Sequence, residues 1–472
     1  MRPKWRKGRG TVFGALSVGA LMVGLLALAT MIAATVLQAR RLTAMDATSQ
    51  AGLALSLRSV EVPGREFVPY VVAAQVDPDS AAERAGLSRG DVLVGVGGSA
   101  VSRPDEVWDA LGKLGPGSST VSWIPKPEKL WGPLRAVVHP ERPGELGVTL
   151  AAVPVGSPAE RAGLRPGDAL ISVAGLPVTG TRQAWELVVG AVRQGPQVLT
   201  LVIERGRERQ ELAFDPIVQG EIPFQPELWR AWGRFLTRIG DPRYPERAGL
   251  LSALVGSLLV VGVMALFAFP LGVGAAVYLE EYASQNWFTE VLQVLIANLA
   301  GMPSAVVGIF GLEIFARSWG LGRSVFAGGL TLALLVLPMT IVAAREALRT
   351  VPRWVREAAA SVGATPWQVI RFHVLPYALP GIFTGIILAL ARALGEAAPL
   401  LLLGAFLYVT YVPQSLLDSF TIVPLQIFDW ATKPQDGFAE LAAAAILVLI
   451  AMHLVLNSIA IVLRNRYQRR WA

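Results

Sequence analysis

Residues 351–376 read VPRWVREAAASVGATPWQVIRFHVLP, and the physics of this stretch decides what kind of chain surrounds it. Pro352 suits the opening of a short helix, where its missing N–H is not needed. Ala358, Ala359 and Ala360 give that helix a face small enough for another backbone to approach closely. Gly363 ends it in the left-handed conformation that glycine adopts without a Cβ penalty. Leu375-Pro376 follows twelve positions after Gly363. The product is a short, rigid, small-faced knob, the shape expected of a part that fits a groove on another protein.

Working outward, the knob is bracketed by lipid-like chain. Charged residues make up 16% of the 472, and the mean hydropathy is +0.49. Soluble domains carry about 25% charged residues. A spanning helix needs roughly 20 apolar residues. Six runs qualify: Thr11–Leu37, Leu250–Leu279, Val291–Leu312, Val325–Ala344, Tyr377–Ala405 and Leu441–Leu463. The first is too long for a signal peptide and reads as an anchor. Lys and Arg cluster at the N-terminus (Arg2, Lys4, Arg6, Lys7, Arg9), after the fourth run (Arg345, Arg349, Arg353, Arg356, Arg371) and in the tail (Arg464, Arg466, Arg469, Arg470). Six crossings put all three clusters on one side, and the positive-inside rule makes that side the cytoplasm. Arg40 and Arg41 go against the trend and are outvoted. The net charge of +7 is therefore a sign of membrane orientation, with no nucleic-acid partner implied. The absence of cysteine excludes disulfides, thiolate nucleophiles and Cys-based metal sites.

Between the first two runs, residues 42–249 have the composition of a soluble protein. DSAAERAGLSRGDVLVGVGG from Asp79 and GSPAERAGLRPGDALISVAG from Gly156 repeat at a spacing of 77. Each reads as a short helix ended by Gly86 or Gly163, a tight Gly-Asp turn, then a buried strand. The pattern resembles bacterial PDZ domains and implies two of them, at 51–142 and 143–217. In that family a glycine-containing loop holds a protein's C-terminal carboxylate while the peptide adds as a strand. The resemblance assigns this loop to Leu146, Gly147 and Val148 in the second copy. In the divergent first copy Gly52-Leu53-Ala54-Leu55 takes its place. Residues 218–249 read as an amphipathic linker. Leu228, Trp229, Trp232, Phe235, Leu236 and Ile239 share one face of its helix, opposite Arg230, Arg234 and Arg238. Such a helix lies on the outer membrane surface or packs against the second module.

Charges inside spans are costly and mark cavities or pairs. Arg392 and Glu396 are four apart and share a helix face. Either they neutralise each other, or Arg392 borders an anion's route with Glu396 holding it; a guanidinium's planar fork suits phosphate. Pro270, Pro303 and Pro338 are expected to interrupt spans, and His453 and Asn457 to bond between helices.

The 351–376 stretch, with Glu357-Ala358-Ala359 and Gly363, resembles the EAA loop of ABC importer permeases. His373 stands where that family has a branched aliphatic residue. The resemblance extends over 250–467. PLGVGAAVYLEEY from Pro270, NLAGMPS from Asn298 and QIFDWA from Gln426 are similar to phosphate permeases. ARALGEAAPLL from Ala391 is similar to the PstA type, with Ala397 in place of threonine. It implies an α-helical polytopic membrane protein, MetI-like, with six spans and an inserted α+β pair of PDZ-like domains. Residues 1–40 form a cytoplasmic tail and first span, and 250–467 the permease core. The implied function is passage of inorganic phosphate through the bacterial inner membrane. Glu357, Ala358, Ala359, Gly363, Leu375 and Pro376 would couple to the ATPase. The implied partners are a PstC-type sister permease, an ATPase dimer that uses ATP and Mg²⁺, and an extracytoplasmic phosphate-binding protein. This chain would bind no cofactor itself. It has no G-x-x-x-x-G-K-[ST] and so no ATP site of its own. A membrane protease with PDZ modules is the rival class. The three histidines, His139, His373 and His453, form no H-E-x-x-H. A signalling scaffold with a degenerate core is the other rival, and the intact loop argues against it. The insert is expected to regulate or recruit, so that removing 51–217 leaves a substantial fraction of transport.

Overall fold

A computed structural model describes residues 29–30, 32–33, 35–36, 41–60, 67–114, 117–138, 146–193, 197–224, 228–284, 286–435 and 437–468. Most of the expected first span, Thr11–Leu37, lies outside the described residues.

The insert opens with helix α1 (Leu42–Gln50), then β1 (Leu53–Val60), β2 (Val68–Val76), β3 (Val92–Val96), α2 (Pro104–Leu114) and β4 (Gly117–Ile124). The chain then builds β5 (Leu134–Val138), β6 (Leu146–Leu150), β7 (Ala169–Val173), α3 (Thr181–Val192), β8 (Leu199–Arg205) and β9 (Glu208–Phe214), and returns as β10 (Val218–Phe224). The repeated sequence makes repeated bonds. Ser80 Oγ accepts the Glu83 N–H at 3.2 Å, and Ser157 Oγ accepts that of Glu160 at 3.2 Å. Each glutamate returns to an N–H ahead of its cap, Asp79 at 2.7 Å and Gly156 at 2.6 Å. In the turns, Asp91 accepts the Ser88 N–H at 2.7 Å and Asp168 that of Arg165 at 2.8 Å.

Two antiparallel sheets result, ordered β1-β2-β3-β4-β10 and β9-β8-β7-β6-β5. The second module is thus inserted within the first. β10 lies beside β4 with Val218 opposite Trp123, and its Ile222 and Phe224 enter the first module's core. This moves two expected boundaries. Strand β5 lies before 142/143 yet pairs with β6 of the second module. Residues 218–224, expected to be linker, close the first module's sheet.

The linker's helix, α4 (Leu228–Thr237), buries Ala231 and Phe235 against α1 and the membrane core, with Phe235 beside Trp430. It packs on α1 and the membrane core rather than on the second module, and its Trp229 stays exposed. Its arginines are not a free polar face: Arg234 binds Asp46 of α1 through Nε at 2.6 Å. One hydrophobic core runs from Leu53, Trp108 and Trp123 through Phe235 to Trp430, Phe438 and Leu441. The first module is therefore built into the end of the membrane core.

That core comprises α5 (Leu251–Val277), α6 (Trp287–Ala300), α7 (Ser304–Gly311), α8 (Val325–Arg349), α9 (Arg353–Ser361), α10 (Leu375–Gly395), α11 (Ala398–Leu403), α12 (Val423–Thr432) and α13 (Phe438–Gln468). Among the described residues four helical stretches are long and apolar enough to cross a membrane: Leu251–Tyr282, Val325–Arg349, Pro366–Gly395 and Phe438–Arg466. The run expected as a straight span at Val291–Leu312 is instead a pair, Trp287–Ala300 and Ser304–Ser318, bent by 103°. Gly301-Met302-Pro303 breaks it. Close approaches fix the directions. Gly329 of α8 lies on Val263 of α5, and Gly272 of α5 on Thr340 of α8, so these helices run parallel. The bent pair must therefore carry the chain back across. Gly381 and Gly385 of α10 meet Ala347 and Ala343, so α10 runs against α8. The run expected to continue to Ala405 ends at Gly395 and restarts as α11. Pro270 and Pro338 stay inside continuous helices, unlike Pro303.

Candidate functional site

Helix α9 forms as its sequence dictates. Pro352 is the N-cap residue, and Gly363 at φ +82° terminates the helix. Thr365 then starts a second short helix with a reciprocal capping box to Gln368. Of the alanines, Ala359 is buried while Ala358 and Ala360 are exposed. Glu357 and Gly363 are exposed, and Leu375 and Pro376 half-buried at the head of α10. Around the small face stand Trp354, Val362, Trp367 and Phe372, all more than half exposed. These four went unremarked in the sequence; a loop this rich in aromatics was the available signal.

The knob is anchored on its other side. Arg356 binds Glu281 at 2.6 Å and the Val351 carbonyl at 2.8 Å. Glu280 takes Arg349 at 3.1 Å and Arg345 at 3.5 Å. Glu280 and Glu281 end the Leu251–Tyr282 helix, so these ion pairs join α9 and α8 to the end of that helix. The sequence reading did not identify this clamp, because its halves lie about 70 residues apart.

Arg392 and Glu396 are brought together, Nε to Oε1 at 3.3 Å. Glu396 is the C-cap of α10 rather than a mid-helix residue. Arg392 also donates to Met339 Sδ at 2.9 Å, halfway along α8. Its remaining donors have no partner among the described residues. The helix therefore ends at the depth of the middle of α8. Beyond it, Pro399 of α11 packs its backbone against Gly308 of α7. The second halves of two broken helices meet there, with Gly308 and Pro399 buried at the contact. His453 of α13 reaches the Ala391 carbonyl at 3.0 Å, as expected of an interhelical group. Asn457 Oδ1 is buried without a partner.

Leu146, Gly147 and Val148 do not form an open loop. They lie in β6, and Val148 faces Ala136 of β5 on one side and Leu170 of β7 on the other. A strand paired on both edges has no backbone left for a peptide. The 77-residue repeat carried this information, since 146–148 correspond to 69–71 in β2, also an interior strand. The sheet edges are β1 and β10 in the first module and β9 and β5 in the second, and β1 and β5 are the ones beside the interior strands β2 and β6. The β1 edge is covered: Leu55 donates its N–H to Glu246 at 3.0 Å, and α1 packs between β1 and α2. On β5, Ala136 and Val137 are exposed.

The joint between first module and membrane core adds ion pairs to the shared hydrophobic core. Arg41, just before α1, binds Asp109 of α2 at 2.8 Å and Glu440 of α13 at 2.9 Å. Arg247 binds Asp77 at 2.8 Å. Glu246 is fully buried among these, and burial raises its carboxyl from 4.5 to about 7.

Residues 268–472 match the family described as binding-protein-dependent transport system inner membrane component, and residues 72–121 and 150–205 match the PDZ domain. The phosphate transport system permease protein PstA 1 of Mycobacterium tuberculosis H37Rv is 38% identical over 233 residues, covering 48% of this chain and 73% of that one. The PstA protein of Haemophilus influenzae is 34% identical over 216 residues, 46% of this chain and 76% of that one. That of Yersinia pestis is 34% identical over 224 residues, 48% and 75% of the two chains.

Proposed function

Because the chain belongs to the family of PstA-type phosphate transport permeases, a transport component rather than an enzyme, we propose that it forms the path for inorganic phosphate in an ATP-driven importer. It shares that path with a PstC-type sister permease and receives phosphate from an extracytoplasmic binding protein. An ATPase dimer supplies the work, holding the ATP and Mg²⁺; this chain holds no cofactor. The chain spans the bacterial inner membrane with both termini in the cytoplasm and the PDZ-like pair outside.

One observation carries the coupling reading. The exposed Glu357–Gly363 knob, ringed by Trp354, Val362 and Trp367, is tied through Arg356 to two membrane helices at once, by Glu281 of one and the Leu348 carbonyl of α8. Closure of a groove around the knob moves those helices as a unit. At the far end of α10, Arg392 borders the anion's route. Glu396 occupies one edge of its guanidinium and keeps binding weak enough for release. The first module acts as a built-in brace on the outer end of the core. The second, carried on the brace, regulates or recruits.

Cysteine at Ala358 should cross-link to the ATPase subunit in the assembled complex, and ATP should change the yield. A cross-link to no ATPase, with the complex assembled, would contradict the coupling role.

A further inference from the structure

Between the two modules lies a polar cleft of about 720 Å³. One wall is the turn around Ser102 and the Ser122 face of β4. The other is Arg161 and the end of α3. The return segment through Gln219 forms its floor. Arg193, the residue that caps α3, reaches across from the second module to the first. Its Nη1 bonds the Val101 carbonyl and, at 3.0 Å, Ser102 Oγ, while Nη2 bonds the Leu93 carbonyl at 2.9 Å. A guanidinium has five donors. Three are used here, and Nε is buried with no partner.

No carboxylate among the described residues forms an ion pair with Arg193; Glu106, which accepts the Ser102 N–H, stands near enough to favour its charge but does not bond it. Burial lowers its pKa to about 10, so it keeps its charge at neutral pH in a partly desolvated place. The side chain of Arg161, the second cation on the wall, makes no hydrogen bond or ion pair among the described residues. The one carboxylate on the rim, Asp215, accepts the Ile217 N–H at 2.9 Å and pairs with neither arginine. Two cations without a direct ion pair thus share a cleft with the Ser102 and Ser122 hydroxyls and the Gln219 amide. A buried charge without a counter-charge is costly, and a fold that keeps one is poised for an anion.

We infer that this cleft binds a phosphate dianion, free or as the head of a phosphomonoester. Two guanidinium groups match its two negative charges, and its tetrahedral oxygens can take donors from the hydroxyls and amide together. A carboxylate has half the charge and two oxygens. The volume exceeds that of a single tetrahedral anion and leaves room for an ester substituent. With Arg161 on one module and Ser122 on the other, the bound anion bridges them and fixes their arrangement. The cleft is separate from the Arg392 region, so it does not depend on what the membrane core carries.

The test is calorimetric titration of the full-length chain in lipid nanodiscs, in an Arg392→Gln background that removes the proposed path cation. The ligands are inorganic phosphate, glycerol phosphate and acetate. Saturable binding of either phosphate is expected, weakened about tenfold or more by Arg161→Gln, the loss of one charge-assisted bond. Arg161 is exposed and unbonded, so that variant folds; Arg193→Gln, where it folds, should lose at least as much. Tighter binding of glycerol phosphate identifies an ester, and tighter binding of inorganic phosphate the free anion. No saturable binding, unchanged affinity in Arg161→Gln, or equal competition by acetate would overturn the inference.

Discussion

Replacing Glu246 by glutamine should raise stability at pH 8 far more than at pH 5. The carboxyl is fully buried; Oε1 accepts the Leu55 N–H at 3.0 Å and Oε2 has no partner. The neighbouring charges do not neutralise it. Arg247 is committed to Asp77, and Arg238 reaches the Glu246 backbone carbonyl at 3.4 Å. Asp241 opposes its ionisation, and Asp46 on α1 is held by Arg234 and Arg238. The folded pKa, about 7, stands above the 4.5 of the free group, so the folded state binds the proton more tightly. The stability this supplies is complete below the unfolded value and is lost as pH rises through the folded one. A shift of that size is worth ~3 kcal/mol in full, of which ~2.5 kcal/mol falls between pH 5 and pH 8. Glutamine keeps the acceptor for Leu55 and does not titrate. In nanodiscs, thermal unfolding followed by tryptophan fluorescence should show the gap between variant and wild type widening by on the order of 5 °C across that interval. Parallel curves would refute the buried, ionisable joint.

Further outcomes follow from the same geometry. Gly363→Leu strains a φ of +82° but meets no atom within 4 Å, so the protein should insert normally while ATP-driven uptake falls severalfold; normal uptake would sink the knob's role. Arg392→Gln should abolish uptake in an assembled complex, and recovery on also neutralising Glu396 would make the pair structural. Joining Ile124 to Ile217 by Asn-Gly, in place of residues 125–216, should restore a plain β4–β10 hairpin and leave uptake largely intact. Removing 51–217 strips Leu53, Trp108 and Trp123 from Trp430 and Phe438. Assembly should then fail, contrary to the sequence-based expectation that transport would survive.

The membrane core was legible because spans are long, apolar and local, and the knob because alanine and glycine placement describes its shape directly. The repeat exposed two modules. Their nesting was not legible, because VQGEIPF at 218–224 is a seven-residue strand of weak alternation whose partner, β4, lies more than 90 residues earlier. Leu146–Val148 misled for a different reason. A glycine within an apolar stretch looks like a carboxylate loop until the neighbouring strand is known, and that strand, Leu134–Val138, lies upstream with only seven residues, 139–145, between. Arg234 and Arg238 read as one face of a surface helix, yet their partner, Asp46, sits almost 190 residues away. That loop apart, non-local pairing separates what the sequence displayed from what it did not.

The most direct measurement is ATP-driven uptake of labelled inorganic phosphate by proteoliposomes containing this chain with its sister permease, ATPase and binding protein. Uptake should require ATP and every subunit, and should persist in the presence of equal sulfate, molybdate or tungstate. Uptake of one of those oxyanions in preference to phosphate, or phosphate movement that ignores ATP, would contradict the account.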